Sequence, residues 1–282
     1  VLHCNGGFRM GNFRMGCHDG VASWTIVPAI ATSCNGYFGW CLVNILNNKK
    51  YKSIQESFTA WKDYMVSMGY GYRLGVDIPG ESRGLIPNSQ YYNKAFRTDK
   101  WKPINIISIS IGQGEILATP LQIANLAATI ANRGHYYVPH VIREIQDTII
   151  PDTFNIQQRT LIDRKWYDWI VEGMRQAVVN GTVRRTGNMD PEGIELCGKT
   201  GTAQNPHGKD HSVFMGFAPK DDPQIAICCF VENGGFGATF GVPIGTLVIE
   251  KYLNGKISDR RKYLETNMLN SSTMGNMNFM KK

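Results

Sequence analysis

No stretch of this 282-residue sequence approaches the ~18–20 consecutive apolar residues of a membrane span. The longest apolar runs, Ile104–Ile111 and Ile225–Val231, have the length of single strands and read as core strands. Charged residues are few, 19% against 43% hydrophobic, which excludes a disordered chain and a coiled coil. The 30 glycines keep no three-residue period, which excludes a collagen-like repeat. A basic stripe is missing too. Lys256, Arg260, Arg261, Lys262, Lys281 and Lys282 stand against Asp259 and Glu265, so +4 of the net +7 belongs to one polar tail. The remaining charge is diffuse, so a solvated surface is expected and no nucleic-acid partner. The sequence begins at Val1 with no signal-peptide or targeting run, and a processed product or a fragment is expected. Seven cysteines are an odd number and leave the redox compartment open.

The length suffices for one large domain with a sizeable core. Residues 1–20 are Gly-rich and read as irregular, with a tandem Phe-Arg-Met-Gly at 8–11 and 13–16. Residues 36–70 are helix-like, and Gly69–Ser89 is punctuated as loop. Thr119 followed by Pro120 announces a helix, with Gly134 as its left-handed stop. A second helix is expected from Asp163 to Asn180, where Trp166, Trp169, Ile170, Met174 and Ala177 recur at helical spacing. Then Ile194–Gln204, Ser212–Ala218 and Gln224–Val231 are strand-length, joined by short turns, and imply an antiparallel sheet. A helix near Pro243–Tyr252 is placed to cover it. The expected class is α+β: a helical lobe plus an antiparallel sheet covered by helices. Residues 1–253 form one domain in this reading, and 254–282 a polar, disordered tail.

Gly193-Ile194-Glu195-Leu196-Cys197-Gly198-Lys199-Thr200 matches the G-x-x-x-x-G-K-S/T phosphate loop by letters. Such a loop needs a strand before it and a helix N-terminus after it, because helix amides hold the phosphate. Here a turn precedes, strand formers fill the middle, and Gly201 to Gly208 starts no helix. Read in another frame, Lys199-Thr200-Gly201-Thr202 puts a lysine and two hydroxyls on one strand, with Gly201 admitting a close backbone approach. That is the K-T-G element of serine acyl-transferases. A polar edge strand kept soluble by its lysine is the plainer reading. Ser33-Cys34-Asn35 supplies an S-x-N pattern far upstream; its plainer reading is a helix cap.

With these two elements in place the chain resembles the transpeptidase domain of class B penicillin-binding proteins of the cell-elongation type. Gly75-Val76-Asp77-Ile78-Pro79-Gly80-Glu81, Ser110-Ile111-Gly112-Gln113-Gly114 and Thr119-Pro120-Leu121-Gln122 resemble that family's segments. Gly173-Met174, Asn180-Gly181-Thr182, Phe214 to Pro219 and Val231 to Gly235 follow in the family's order, so the match spans roughly 1–253. One departure stands out. The family's nucleophile is the Ser of S-x-x-K, and no serine here has Lys three residues on. The resemblance therefore implies an N-terminally truncated domain, with the nucleophile and the membrane anchor ahead of Val1.

The resemblance implies a peptidoglycan D,D-transpeptidase that cross-links stem peptides and binds β-lactams. It also implies a membrane glycosyltransferase of the wall-elongation machinery as partner, and a place on the periplasmic face of the inner membrane. Ser33 is then expected to relay a proton, Asn35 to bind the substrate amide, and Lys199 to supply positive potential. Thr200 and Thr202 are expected to hold the substrate carboxylate beside Gly201, with the Thr202 N–H as an oxyanion donor. A non-catalytic scaffold or sensor of the envelope is the alternative. His211, beside Asp210, is a candidate base, though a loop histidine reads more simply. No cofactor is required for this chemistry. Cys4, Cys17, His18 and Cys34 form a ligand set suited to structural zinc, with disulfides or free thiols as the rivals.

Overall fold

The hairpin at the start of the chain is built from the tandem repeat itself. In the computed structural model, which describes residues 2, 4–17, 25–146 and 152–273, β1 (Gly7–Met10) pairs antiparallel with β2 (Phe13–Gly16). Phe8 faces Met15 and Met10 faces Phe13, so the two copies lie against each other. Gly11, at φ 57°, takes the first of the two loop positions, where a tight hairpin turn wants a residue free of a Cβ. The irregular segment expected here is thus a hairpin; the pairing was hidden because alternation over four residues is too short to read.

In chain order follow α1 (Ile26–Ala31), α2 (Asn35–Leu46), α3 (Ile54–Ser67), α4 (Ser89–Phe96) and α5 (Pro120–Ala131). Next come β3 (His135–Tyr136), β4 (Gln158–Arg159), α6 (Tyr167–Val179) and α7 (Arg184–Gly187). The rest are β5 (Cys197–Ala203), β6 (His211–Ala218), β7 (Ile225–Val231), α8 (Gly241–Asn254) and α9 (Lys262–Leu269). Two units divide them. The first holds residues 1–25 and 34–167, the second 26–33 and 168–282. The α+β class expected from the sequence is the one observed.

The first unit packs Phe8, Leu42, Val43, Leu46, Phe58, Tyr92 and Trp101 into one core. Ile106, Ile107 and Ile109 join it from a 3-10 helix, Pro103–Ile111, not from a strand. An apolar run of that length does not separate strand from helix. The flanks decide it. Pro103 starts the turn, the Asn105 side chain accepts the Lys102 N–H at 2.8 Å, and Gly112 closes it at φ 72°. α5 obeys its sequence signal: the Thr119 hydroxyl accepts the Gln122 N–H at 3.1 Å, and the Gln122 side chain accepts the Thr119 N–H at 3.0 Å. Its exit differs slightly. Arg133 is already left-handed at φ 57° before Gly134 at 107°.

The second unit is the sheet β5-β6-β7, antiparallel throughout, with β5 at one edge. Phe214 of β6 is fully buried, in a core with Val242 and Ile249 of α8 and Ala177 and Val178 of α6. Gly198-Lys199-Thr200 lies inside β5, so no helix N-terminus follows it and the phosphate-loop frame has no structural counterpart. Residues 254–273 correct the expected disordered tail. α9 follows a 3-10 turn, and Arg261 is buried against Glu250 at 2.9 Å. Residues 274–282 lie outside the described residues.

Candidate functional site

Ser33 ends the short segment that leaves α1, and its backbone is left-handed at φ 57°. Such a conformation costs a non-glycine residue on the order of 1–3 kcal/mol and persists only where the surroundings impose it. They do so here through several contacts. The Ser33 N–H donates to Ile30 O at 3.2 Å, and the Thr182 N–H donates to Ala31 O at 3.1 Å. A Cβ on Gly181 would sit 2.1 Å from Ala31 O, so only glycine lets the turn after α6 approach the end of α1.

The edge strand β5 meets this turn with its lysine. Lys199 Nζ donates to Ser33 Oγ at 2.9 Å and to Thr200 O at 2.9 Å. Burial holds the ammonium's pKa down, to about 8. Thr200 Oγ1 donates to Thr182 Oγ1 at 2.8 Å, which aims the Thr200 hydroxyl. The Thr202 hydroxyl accepts the Gly237 N–H at 3.4 Å. Ser33, Lys199 and Thr200 are therefore in one hydrogen-bonded group, with Gly201 and Thr202 next along the same strand. Thr182 belongs to the group and was given no role from sequence. Its only signal there was its place in Asn180-Gly181-Thr182.

Asn35 lies in the first unit, where its side-chain amide donates to Gly16 O at 2.7 Å. His211 Nδ1 accepts the Asn233 N–H at 3.0 Å, so this nitrogen is occupied as an acceptor from backbone. His211 opens β6, so the expected loop histidine stands on a strand. The family-like segments have local work in the first unit. The Glu81 carboxylate accepts the N–H groups of Leu74, Gly75 and Val76. Asp77 accepts those of Val141 and Ile142, with the Ile142 amide foremost in holding its carboxyl below the usual range.

The cysteines of the first unit converge. Cys4 Sγ is 3.5 Å from Cys17 Sγ, which is 3.8 Å from Cys34 Sγ, and all three lie within 4.8 Å of one another. Cys34 caps α2, accepting the Tyr37 N–H at 3.4 Å. Gly36 makes room for the cluster, since a Cβ there would stand 2.6 Å from Cys4 Sγ. Burial pushes the Cys17 thiol up to about 12, reinforced by charge on Cys34 and Cys4. Burial also opposes ionisation of Cys4, but hydrogen bonds from Cys34, Cys17 and the Gly7 and Gly6 backbone hold its thiol below the ordinary value. Three thiolates this close repel one another unless a cation joins them. Tetrahedral zinc with bonds of about 2.3 Å places its sulfurs about 3.8 Å apart, so the donor set fits that ion. His18, the fourth expected ligand, lies outside the described residues.

Comparison with known proteins gives this arrangement its lineage. Residues 3–248 match the model of the penicillin binding protein transpeptidase domain. Peptidoglycan D,D-transpeptidase MrdA of Acinetobacter baumannii is 35% identical over 228 residues, covering 75% of this chain and 32% of the relative. The chain thus spans about a third of the length of that curated relative. Among solved structures, Pseudomonas aeruginosa PBP2 in complex with WCK 5153 superposes with a TM-score of 0.76 at 28% identity, over 92% of this chain and 55% of that one. A chain from a peptidoglycan synthase complex described as coordinating polymerization and crosslinking gives 0.74 at 27%, over 91% and 42%. With the domain model matching residues 3–248 of the 282, the chain belongs to the penicillin-binding protein transpeptidase domain family.

Proposed function

We propose that the chain works as the S-x-N and K-T-G part of a peptidoglycan D,D-transpeptidase. It acts on the D-Ala–D-Ala end of stem peptides through a serine acyl-enzyme and is open to acylation by β-lactams. The observation that carries this reading is the 2.9 Å bond from Lys199 Nζ to Ser33 Oγ. A serine hydroxyl is a weak nucleophile and needs a base. None of this chain's serines stands in S-x-x-K, so the nucleophile belongs to a residue outside these 282.

The chain's own groups handle charge and protons. The substrate backbone adds along the edge of β5 that no described strand occupies, as a peptide extends a sheet. Thr200 and Thr202 hydroxyls take its terminal carboxylate, with the Lys199 charge behind them. The Thr202 N–H meets the oxyanion that forms when the nucleophile's oxygen bonds to the carbonyl carbon. As the C–N bond breaks, Ser33 passes a proton to the departing D-Ala amine and is resupplied from Lys199. An amine of a second stem peptide then attacks the ester and frees the enzyme. Asn35 is the residue the same reading assigns to the substrate amide. A glycosyltransferase of wall elongation and a membrane anchor on the periplasmic side complete the proposed setting.

Covalent labelling by fluorescent penicillin tests this. The chain alone is expected to take no label; the chain preceded by an S-x-x-K segment is expected to take it. Label on the chain alone overturns the reading. Reversible binding without covalent label in the longer protein identifies the scaffold instead.

The sulfur cluster favours a structural role beside the chemistry: zinc held by Cys4, Cys17 and Cys34, tying the β1–β2 hairpin to the start of α2. Elemental analysis of purified protein is expected to find one zinc per chain. Cys17→Ser is expected to lower that content and the Tm together. Absence of zinc with a Cys4–Cys17 disulfide in mass mapping decides against it.

A further inference from the structure

A pocket of about 180 Å³ opens beside the β3–β4 ribbon, within the first unit. Arg133, Arg159, Arg164 and His135 line it together with Gln157 and Thr160, and among the described residues no carboxylate lines it. The ribbon sets the geometry: His135 and Arg159 are direct cross-strand partners, so their side chains leave the same face. The frame is stiff. Thr160 N–H donates to Gly134 O at 3.0 Å, and the Thr160 hydroxyl meets the Tyr167 hydroxyl at 2.7 Å. Arg133 is held left-handed, with its guanidinium donating to Ala131 O at 2.6 Å.

Like charges gathered this way repel. Asp163, the acid nearest in sequence, is engaged by Lys165 at 2.9 Å. Among the described residues neither Arg159 nor Arg164 takes part in an ion pair. The concentration of positive charge is felt by the imidazole: burial first, then the charges of Arg159 and Arg164, hold His135 below its ordinary pKa. Guanidinium forks are shaped for oxyanions and bind them bidentately. A carboxylate offers one charge and one pair of oxygens. A phosphoryl group offers up to two charges and three oxygens, which suits several forks at once. The volume lies below the ~300–1,000 Å³ of sites that enclose whole drug-sized ligands, so one small charged group fills it.

We propose that this pocket is a binding site for a phosphoryl anion, formed by Arg133, Arg159, Arg164 and His135. Binding neutralises the arginines and raises the affinity of His135 for its own proton.

Calorimetry of the full chain with inorganic phosphate and pyrophosphate, at low ionic strength, reads the site directly. Saturable binding is expected, weakened about tenfold by Arg159→Gln and again by Arg164→Gln, with Tm unchanged in both. Proton NMR is expected to show the His135 pKa rising on saturation with phosphate in the wild type, and rising less in the double variant. Co-sedimentation with phosphatidylglycerol vesicles, against phosphatidylcholine vesicles, separates the sources of the group. Pelleting of the wild type and not of the double variant places the phosphate on a lipid head. Binding of soluble phosphate without pelleting places it on a soluble ligand. Failure to bind phosphate, pyrophosphate and vesicles alike, or binding that the two substitutions leave intact, overturns the proposal.

Discussion

Lys199→Met, introduced in a protein in which an S-x-x-K segment is placed ahead of the chain, is expected to slow acylation by penicillin about 10²–10⁴-fold, the usual worth of a positioned proton-transfer group. The same variant is expected to be as stable as the wild type at pH 7, or more so. Both effects follow from one desolvated ammonium bonded to Ser33 Oγ and Thr200 O. Its pKa lies at about 8 in the folded chain, against 10.5 as the ordinary value. Below pH 8 the folded protein keeps a proton that the unfolded chain holds more tightly, which costs stability. Between pH 8 and 10.5 the folded form has released that proton and the unfolded form has not, so stability rises with pH through this window. Methionine removes the cost and the pH dependence together. The proposed role needs the charged form, so the acylation rate is expected to fall as pH rises through about 8. Lys199→Arg keeps the charge, since a guanidinium does not deprotonate, and is expected to abolish that limb of the profile. A pH–rate series on the three proteins, with Tm measured in the same buffers, checks both. An acylation rate that survives in Lys199→Met removes Lys199 from the mechanism.

The site was legible in sequence only as two separate short patterns. Ser33 and Lys199 are 166 residues apart, and no spacing rule joins them. What joins them is a set of backbone contacts: the left-handed turn at Ser33, the Thr182 N–H on Ala31 O, and a glycine at 181 where a side chain cannot fit. Local signals were read well where the physics is local. The capping box of α5 closes through Thr119 and Gln122 as their spacing announces, and β5, β6 and β7 fall within two or three residues of their expected bounds. Misreadings came where the deciding partner is distant or the pattern is short. Ile104–Ile111 is apolar enough for a strand, yet Pro103 and Asn105 wind it into a 3-10 helix. The two Phe-Arg-Met-Gly copies look like loop until one is laid against the other. Composition is least informative at the C-terminal end, where a charged run includes the buried Arg261.

That end supplies the second large effect. Arg261→Met is expected to destabilise the fold by about 3–5 kcal/mol, the cost of stranding a buried charge, a fall in Tm of order 10 °C for a unit of this size. Arg261 and Glu250 have side-chain exposures of 3% and 0%, and their 2.9 Å contact is one part of a closed network. The guanidinium also donates to Thr186 O at 3.0 Å and Thr246 Oγ1 at 2.6 Å, while the other Glu250 oxygen accepts the Ser258 N–H at 2.9 Å. Removing the arginine leaves a carboxylate inside the core of the second unit with one backbone donor. Lys262, the next residue, gives the contrast. It pairs with Asp259 at side-chain exposures of 62% and 93%, and Lys262→Ala is expected to change stability by less than about 1 kcal/mol. The double variant Glu250→Leu, Arg261→Met is expected to recover much of the loss, because two apolar side chains leave no uncompensated charge. Thermal unfolding of the four proteins reads all of this. Equal Tm values for Arg261→Met and Lys262→Ala show that the charged run after Asn254 is surface after all, and that α8 does not need it.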